Sequence, residues 1–339
     1  MNLYLFPALA SSQGGYNLGV LFAYNKLQVK QDDVVVWCLD KTDLVDNAQC
    51  IRKTDIFLKY PPLYSLRSLH KVLTDRFHQE IDYKAIAPLV KYDFEHIHCD
   101  EVTFYRAIRK LYPDKKIFIR FHNVFSRIKE RERVLSVKQD WRFELKMRLF
   151  TKLEFEIFKD NNVYKIFISD EDRNYYTSMM GRTIDSEVWY YEPTVNKIEQ
   201  NKLLPKLVWF GGVEGHKTTS VRWFINDVFP KIKKQIPSAE FHLWGSQTNQ
   251  FDNPTKNIFA HGKYLHDDLP LKGEALYINP DIIGGGIKIK LLTYFKEGVP
   301  FISTPFGFEG YKEALIDNQY CFVIEMDKWA EKIIQILKP

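Results

Sequence analysis

The strongest constraint on this chain is that short apolar, strand-like runs alternate with helical stretches, twice over. Leu3–Phe6, Val34–Leu39, Phe94–His98, Ile117–Phe121 and Tyr164–Ile168 are rich in β-branched and aromatic side chains. Runs of that length and composition predict strands buried on both faces. Glu101–Lys110 and Gln139–Lys159 carry helical spacing between them. A second series begins near Leu207, with strands expected at Leu207–Phe210, Phe241–Trp244, Leu276–Ile278 and Phe301–Ser303. Helices are expected over Thr219–Gln235, closed by Pro237, and from about Ile287 to Lys296, ended by Gly298. Alternation of this kind predicts parallel sheets with helices on both faces.

The polar segment Glu192–Pro205, with two prolines, reads as a linker. A chain of 339 residues is long for one core and suits two α/β, doubly wound domains, 1–195 and 200–325. Residues 326–339 are expected to form a terminal helix that packs back on the first domain. Ligands of such domains sit in a cleft at the carboxyl ends of the strands.

Charge is unevenly spread. Residues 106–152 hold fifteen Lys or Arg against five Asp or Glu, so this stretch carries +10 and the rest of a +5 chain carries −5. Such a block points to an anionic surface or partner. Lys138, Arg142 and Lys146 lie at four-residue spacing beside Trp141, Leu145 and Leu149. That pattern fits a helix lying on an anionic membrane, or an ordinary amphipathic helix packed on a sheet. No nucleic-acid-binding signature accompanies the block, and no nucleic-acid partner is expected. The four cysteines, Cys38, Cys50, Cys99 and Cys321, form no CxxC pair. The opening MNLYLFPALASS has no basic residue before its short apolar run and contains Pro7, so it reads as a first strand and not as a signal peptide. No apolar run approaches the roughly 20 residues of a spanning helix. The expected setting is cytoplasmic, with peripheral contact at the inner face of the cell membrane as the membrane alternative.

The segment from Asn279 to Thr293 reads NPDIIGGGIKIKLLT: a strand end, a triple-glycine turn, then a helix start. Gly284, Gly285 and Gly286 let backbone approach a ligand closely, and the free N–H groups of a first helical turn favour an anion. Lys288 and Lys290 oppose the helix dipole there unless an anion offsets them. A diphosphate fits this arrangement; a glycine turn with two solvated lysines is the other reading.

The stretch Gly284–Tyr311, GGGIKIKLLTYFKEGVPFISTPFGFEGY, resembles the nucleotide-sugar loop of retaining GT-B glycosyltransferases of family four, in their GGG-loop branch. Val208–Pro230, VWFGGVEGHKTTSVRWFINDVFP, is similar to the opening of their C-terminal domain, and Gly245-Ser246 to the end of their next strand. The resemblance implies two Rossmann-like domains facing each other across a cleft, with the acceptor on the first and the donor on the second. It implies sugar transfer from a nucleotide diphosphate to a carbohydrate or lipid-linked glycan acceptor in surface polysaccharide synthesis, with retention, without metal and without a cofactor. A non-catalytic GT-B-like binding or scaffold subunit is the alternative; an epimerase or phosphorylase on the same architecture is a second enzymatic one.

Residue by residue, the resemblance places Gly211, Gly212, Lys217, Gly284, Gly285, Gly286, Thr293 and Glu309 around the diphosphate and donor. Gly245, Ser246 and Tyr264 fall at the base, and Gly14, Gly15, Arg120 and Asn123 on the acceptor side. His122, Lys288 and Lys290 fall at the catalytic centre. Arg120 and His122 share a strand face by alternation; a core histidine held by backbone is the other reading of His122. Many relatives carry two loop glutamates where this chain has Gly285 and Thr293. A threonine can hydrogen-bond a ribose hydroxyl but not as a charged acceptor. The run Glu95-His96-Ile97-His98-Cys99-Asp100 places two histidines on one strand face, as metal ligands or as lining of a strand end.

Overall fold

The computed structural model describes residues 1–8, 15–39, 55–59, 62, 65–134, 141–196, 203–213, 216–264, 269–317 and 320–338. The chain divides into two compact units, Met1–Tyr190 and Tyr191–Pro339.

The first unit runs β1 (Leu3–Phe6), α1 (Gly15–Leu27), β2 (Val34–Leu39), β3 (Asp55–Lys59), α2 (Leu66–Leu73) and α3 (Tyr83–Ile86). It continues through β4 (Ile97–Cys99), α4 (Tyr105–Leu111), β5 (Ile117–Arg120), α5 (Phe125–Val134), α6 (Trp141–Lys159), β6 (Val163–Phe167), α7 (Asp170–Met180) and β7 (Ser186–Val188). The strands form one sheet in the order β3-β2-β1-β4-β5-β6-β7. Every pairing is parallel, with Leu3 set against Val34 on one side and Ile97 on the other. Local chemistry sets the ends of elements. Ser169 Oγ accepts from the Asp172 N–H at the start of α7, three acids fill its first turn, and Gly181 at φ +61° ends it.

The second unit runs β8 (Lys206–Phe210), α8 (His216–Trp223), α9 (Phe229–Gln235), β9 (Glu240–Trp244), β10 (Ile258–Gly262) and β11 (Leu276–Asn279). After these come α10 (Lys290–Glu297), β12 (Phe301–Ser303), α11 (Pro305–Phe308), β13 (Cys321–Val323) and α12 (Trp329–Leu337). Its sheet is also parallel, in the order β10-β9-β8-β11-β12-β13. The strand order reverses between β1 and β4 in the first sheet and between β8 and β11 in the second. In a doubly wound sheet that switch point is where ligands bind.

Both faces of each sheet are covered by apolar side chains, two clusters to a unit. The expected helix over Thr219–Gln235 is α8 and α9 joined by a π turn over Phe224–Val228. Pro230 stands at the start of α9 and has no N–H to continue an α ladder. The helix expected from Ile287 begins only at Lys290, because Gly286 at φ +64° is still loop. The terminal helix differs from expectation in its partner. α12 buries Trp329, Ala330, Ile333 and Leu337 in the core of the second unit, beside α9. α6 is a core helix: Leu149 joins Met147, Phe150 and Leu153 inside, Leu145 is half-buried, and Trp141 stays exposed at its start. Lys138 and Gly14 lie outside the described residues. Among those residues, no helix is long and apolar enough to cross a membrane.

Candidate functional site

At the switch point of the second sheet, the loop after β8 is held against the end of β9. The Gly211 N–H donates to the Trp244 carbonyl at 2.8 Å, Val213 to Ser246 at 2.9 Å, and Trp209 Nε1 to the Gly211 carbonyl at 2.8 Å. Gly245 makes this approach possible. A Cβ there would lie 2.1 Å from the Gly211 oxygen and 2.8 Å from the Gly212 nitrogen, at a φ of +139° that side chains avoid. Gly245, assigned by resemblance to the base, thus has a packing role of its own, and Ser246 contributes its carbonyl to the same lock.

The loop after β11 is pinned from two sides. Buried Asn279 donates through Nδ2 to Ser303 Oγ at 2.9 Å and to the Gly307 carbonyl at 3.0 Å. Thr304 accepts from the Gly307 N–H at 2.8 Å, capping α11, and its hydroxyl donates to the Asp281 carbonyl. On the other side, the Ile282 N–H donates to Ser220 Oγ of α8 at 3.2 Å. The chain then turns through Gly284 at φ +125° and Gly286 at φ +64°, which only glycine adopts without strain. These anchors fix the glycine loop, burying Gly284 and leaving Gly285 and Gly286 half-exposed.

Three lysines converge on this loop: Lys217 from the first turn of α8, Lys288 from the loop, and Lys290 at the first position of α10. Lys290 is the most constrained. Its side chain is 13% exposed, its ammonium lies 3.3 Å from the centroid of the Trp209 ring, and Asp281 stands 3.4 Å away. That distance is long for a charge-assisted hydrogen bond, and Lys290 Nζ has no hydrogen-bond acceptor among the described residues. Burial pushes its pKa down to about 7; Lys217 and Lys288 push the same way and Asp281 opposes them. Lys288 is used differently. Its ammonium donates to the Gly286 carbonyl at 2.8 Å and sits 4.2 Å over the Phe306 ring, so it braces the loop that carries it. Thr293 lies one turn into α10, half-buried, and Glu309 follows α11 just before Gly310, which has φ +86°. Tyr264 packs edge-on against Phe210 at 6.0 Å and Trp244 at 6.3 Å.

In the first unit, Arg120 at the end of β5 and His122 just beyond it meet on one acid. Arg120 donates to Asp100 Oδ1 at 2.8 Å and to the Gly19 carbonyl of α1 at 3.1 Å. His122 Nε2 lies 3.1 Å from Asp100 Oδ2. Asp100 thereby fixes the imidazole and compensates a buried guanidinium. Asn123 is half-buried beside them, and Gly15 opens α1. His96 and His98 do not form a shared pair of ligands. His98 stacks between Tyr4 at 5.1 Å and Phe118 at 4.6 Å, and burial, with His96 next, lowers its pKa to about 4.

Sequence reasoning missed Asp281 and did not connect Asp100 to His122. Both are acids just past a buried strand end, a position that is itself a signal.

Residues 204–339 match the family model described as Glycosyl transferases group 1. No curated protein matches the chain. Among solved structures, TarM superposes with a TM-score of 0.66 at 9% identity, covering 99% of this chain and 91% of its own. Sucrose-phosphate synthase from Thermosynechococcus elongatus gives 0.63 at 14% identity, with 99% and 89% covered. WaaG, a glycosyltransferase involved in lipopolysaccharide biosynthesis, gives 0.60 at 11% identity, with 99% and 90% covered. At these identities the likeness is one of fold: two parallel, Rossmann-like units of the GT-B kind.

Proposed function

We propose that this chain, a glycosyltransferase by its group 1 domain and GT-B fold, moves a sugar from a nucleotide diphosphate onto a carbohydrate or lipid-linked glycan acceptor. The observation that carries the donor assignment is the Lys290 ammonium, buried at a glycine loop and helix start without a hydrogen-bond acceptor. A diphosphate oxygen supplies that acceptor. Lys217 and the first N–H groups of α10 add to the same field, while Lys288 holds the loop in shape.

In this reading the bond from the anomeric carbon to the diphosphate breaks and its electron pair stays on the phosphate oxygen. The acceptor oxygen bonds to the anomeric carbon, and its proton passes to the departing phosphate. Charge builds on the diphosphate as it leaves, and preorganised lysines and amides stabilise that charge more than the ground state. The cations already present at the loop support transfer without a metal. His122, oriented by Asp100, is assigned to the transferred sugar, with Arg120, Asn123 and Gly15 on the acceptor side. Thr293 is assigned to a ribose hydroxyl, and Gly245, Ser246 and Tyr264 to the edge of the base.

Lys290→Ala tests the reading. Transfer should fall about 10²- to 10³-fold, the usual effect of removing one preorganised donor. The melting temperature without ligand should hold or rise, because a poorly compensated buried ammonium is gone. A nucleotide-diphosphate panel followed by thermal shift, with and without EDTA, should show stabilisation in the native protein that the variant loses. Wild-type transfer and wild-type thermal shifts in Lys290→Ala would overturn the assignment.

A further inference from the structure

α2 is packed the wrong way round for a water-soluble surface. It buries Ser68 and Lys71 and turns Leu66, Leu69 and Leu73 outward, at 86%, 55% and 76% exposure. These leucines are three and four residues apart, so they form one stripe along the helix. Ser65 caps the helix and the buried polar residues are satisfied: Ser68 Oγ donates to the Pro62 carbonyl at 2.8 Å, and Lys71 donates to the Glu80 carbonyl and pairs with Asp82 at 3.2 Å. The orientation is therefore anchored by specific bonds.

Beside the stripe lies a hollow of about 460 Å³. Arg67, Lys71, Arg76, Lys84, Arg106 and Lys110 line it, and among the described residues Asp82 is its one acidic lining residue. Asp82 pairs with Arg67 and Lys71, and Arg106 is held by Glu80 and Glu156, each at 2.6 Å. Lys110 lies 3.7 Å over the Tyr83 ring, and neither it nor Lys84 joins an ion pair among the described residues. The basic face of α6 adjoins the C-terminal end of α2, since Asp75 pairs with Lys152 at 2.9 Å and with Arg148 at 3.8 Å.

We infer that this face docks on an anionic lipid surface, with the leucine stripe among the acyl chains and a headgroup phosphate in the hollow. One helix presents an apolar row and, next to it, part of a cationic hollow, and a charged amphiphile matches both at once. A second copy of the chain is a poor occupant. A two-fold contact on this face would bring two cationic hollows together, and like charges repel. The surface differs from the one that spacing alone suggested, because Leu149 of α6 faces the core. The inference does not rest on the donor-site reading.

The test is flotation with vesicles of phosphatidylcholine containing phosphatidylglycerol, against vesicles of phosphatidylcholine alone, with no sugar nucleotide present. The native protein should float with the anionic vesicles and be released by salt. The variant Leu66→Ser/Leu69→Ser/Leu73→Ser should bind at least about tenfold more weakly, as expected on removing three apolar side chains from a lipid contact. Lys84→Glu/Lys110→Glu should do the same. All five residues belong to the first unit and the glycine loop to the second, so thermal shifts with nucleotide diphosphates should be unchanged in both variants and would also certify their folding. Vesicle binding equal to native in both variants would overturn the inference. So would no native binding to anionic vesicles, or a dimer in sedimentation that the leucine variant dissolves.

Discussion

Lys290 sits near the midpoint of its own titration at neutral pH, because burial and two neighbouring lysines outweigh Asp281. An anion in contact with it favours the charged form. Above a pKa of about 7 in the free protein, each binding event must therefore take up a proton. Nucleotide-diphosphate affinity should then weaken by about tenfold per pH unit above that value, the slope for one linked proton. Calorimetric titrations at several pH values check this. In Lys290→Met the slope should vanish, and a slope that persists would place the linked proton elsewhere. At this scale the sequence was legible where the chemistry is local. The glycines and lysines of one short segment marked a glycine turn leading into a helix start, and the structure has both, with Gly284 and Gly286 at positive φ and α10 beginning at Lys290. Asp281 and the pairing of Asp100 with Arg120 and His122 were harder to read. Their partners are set by neighbouring strands, and spacing along one strand does not contain that information.

Elements were legible in proportion to their burial. The inner strands β1, Leu-Tyr-Leu-Phe, and β2, Val-Val-Val-Trp-Cys-Leu, are continuous apolar runs and stood out. The strands β3, β7 and β13, which the sequence reading passed over, are all at sheet edges. β7 is only Ser186-Glu187-Val188, part-exposed along its length, so it has no continuous hydrophobic run to find. Helix ends were set by partners as well as by local signals, and the start of α5 is an example. Glu154, wholly buried on α6, accepts from the Phe125 N–H at 2.6 Å and the Ser126 N–H at 3.0 Å, doing the work of a cap from another helix. Burial raises its pKa to about 7 against those two bonds. The group is protonated in both states below its unfolded value of 4.5, and the folded chain alone keeps the proton between 4.5 and about 7. Its contribution to stability is thus fully present at low pH and is lost as pH rises through that window. The loss is about 3 kcal/mol, from the size of the shift. Denaturant midpoints measured across pH should show this fall in the native protein and a flat response from this position in Glu154→Gln. Parallel curves for the two would show that the carboxyl ionises without cost.

The chain as a whole carries two parallel sheets, each with its own pair of apolar clusters, and the alternation of runs along the sequence announced this. The partner of the terminal helix was not announced. An apolar stripe states that a helix must bury one face, but not against which of two similar sheets. In the structure α12 closes the second core with Trp329, Ile333 and Leu337, each less than a tenth exposed. Removing residues 326–339 should cost at least about 5 kcal/mol, from three large side chains at 1.5–3 kcal/mol each, which rivals the stability of an ordinary domain. Limited proteolysis should then degrade residues 191–325 while residues 1–190 resist. Equal resistance of both units would show that α12 is dispensable. The same helix bears on timing. Strands β8 to β13 leave the ribosome before α12, and α9, the helix it packs beside, leaves about a hundred residues earlier. During synthesis the second unit therefore waits with one face of its sheet uncovered. In a chain emerging at about 5–20 residues per second, that interval lasts seconds, long enough for a chaperone to matter.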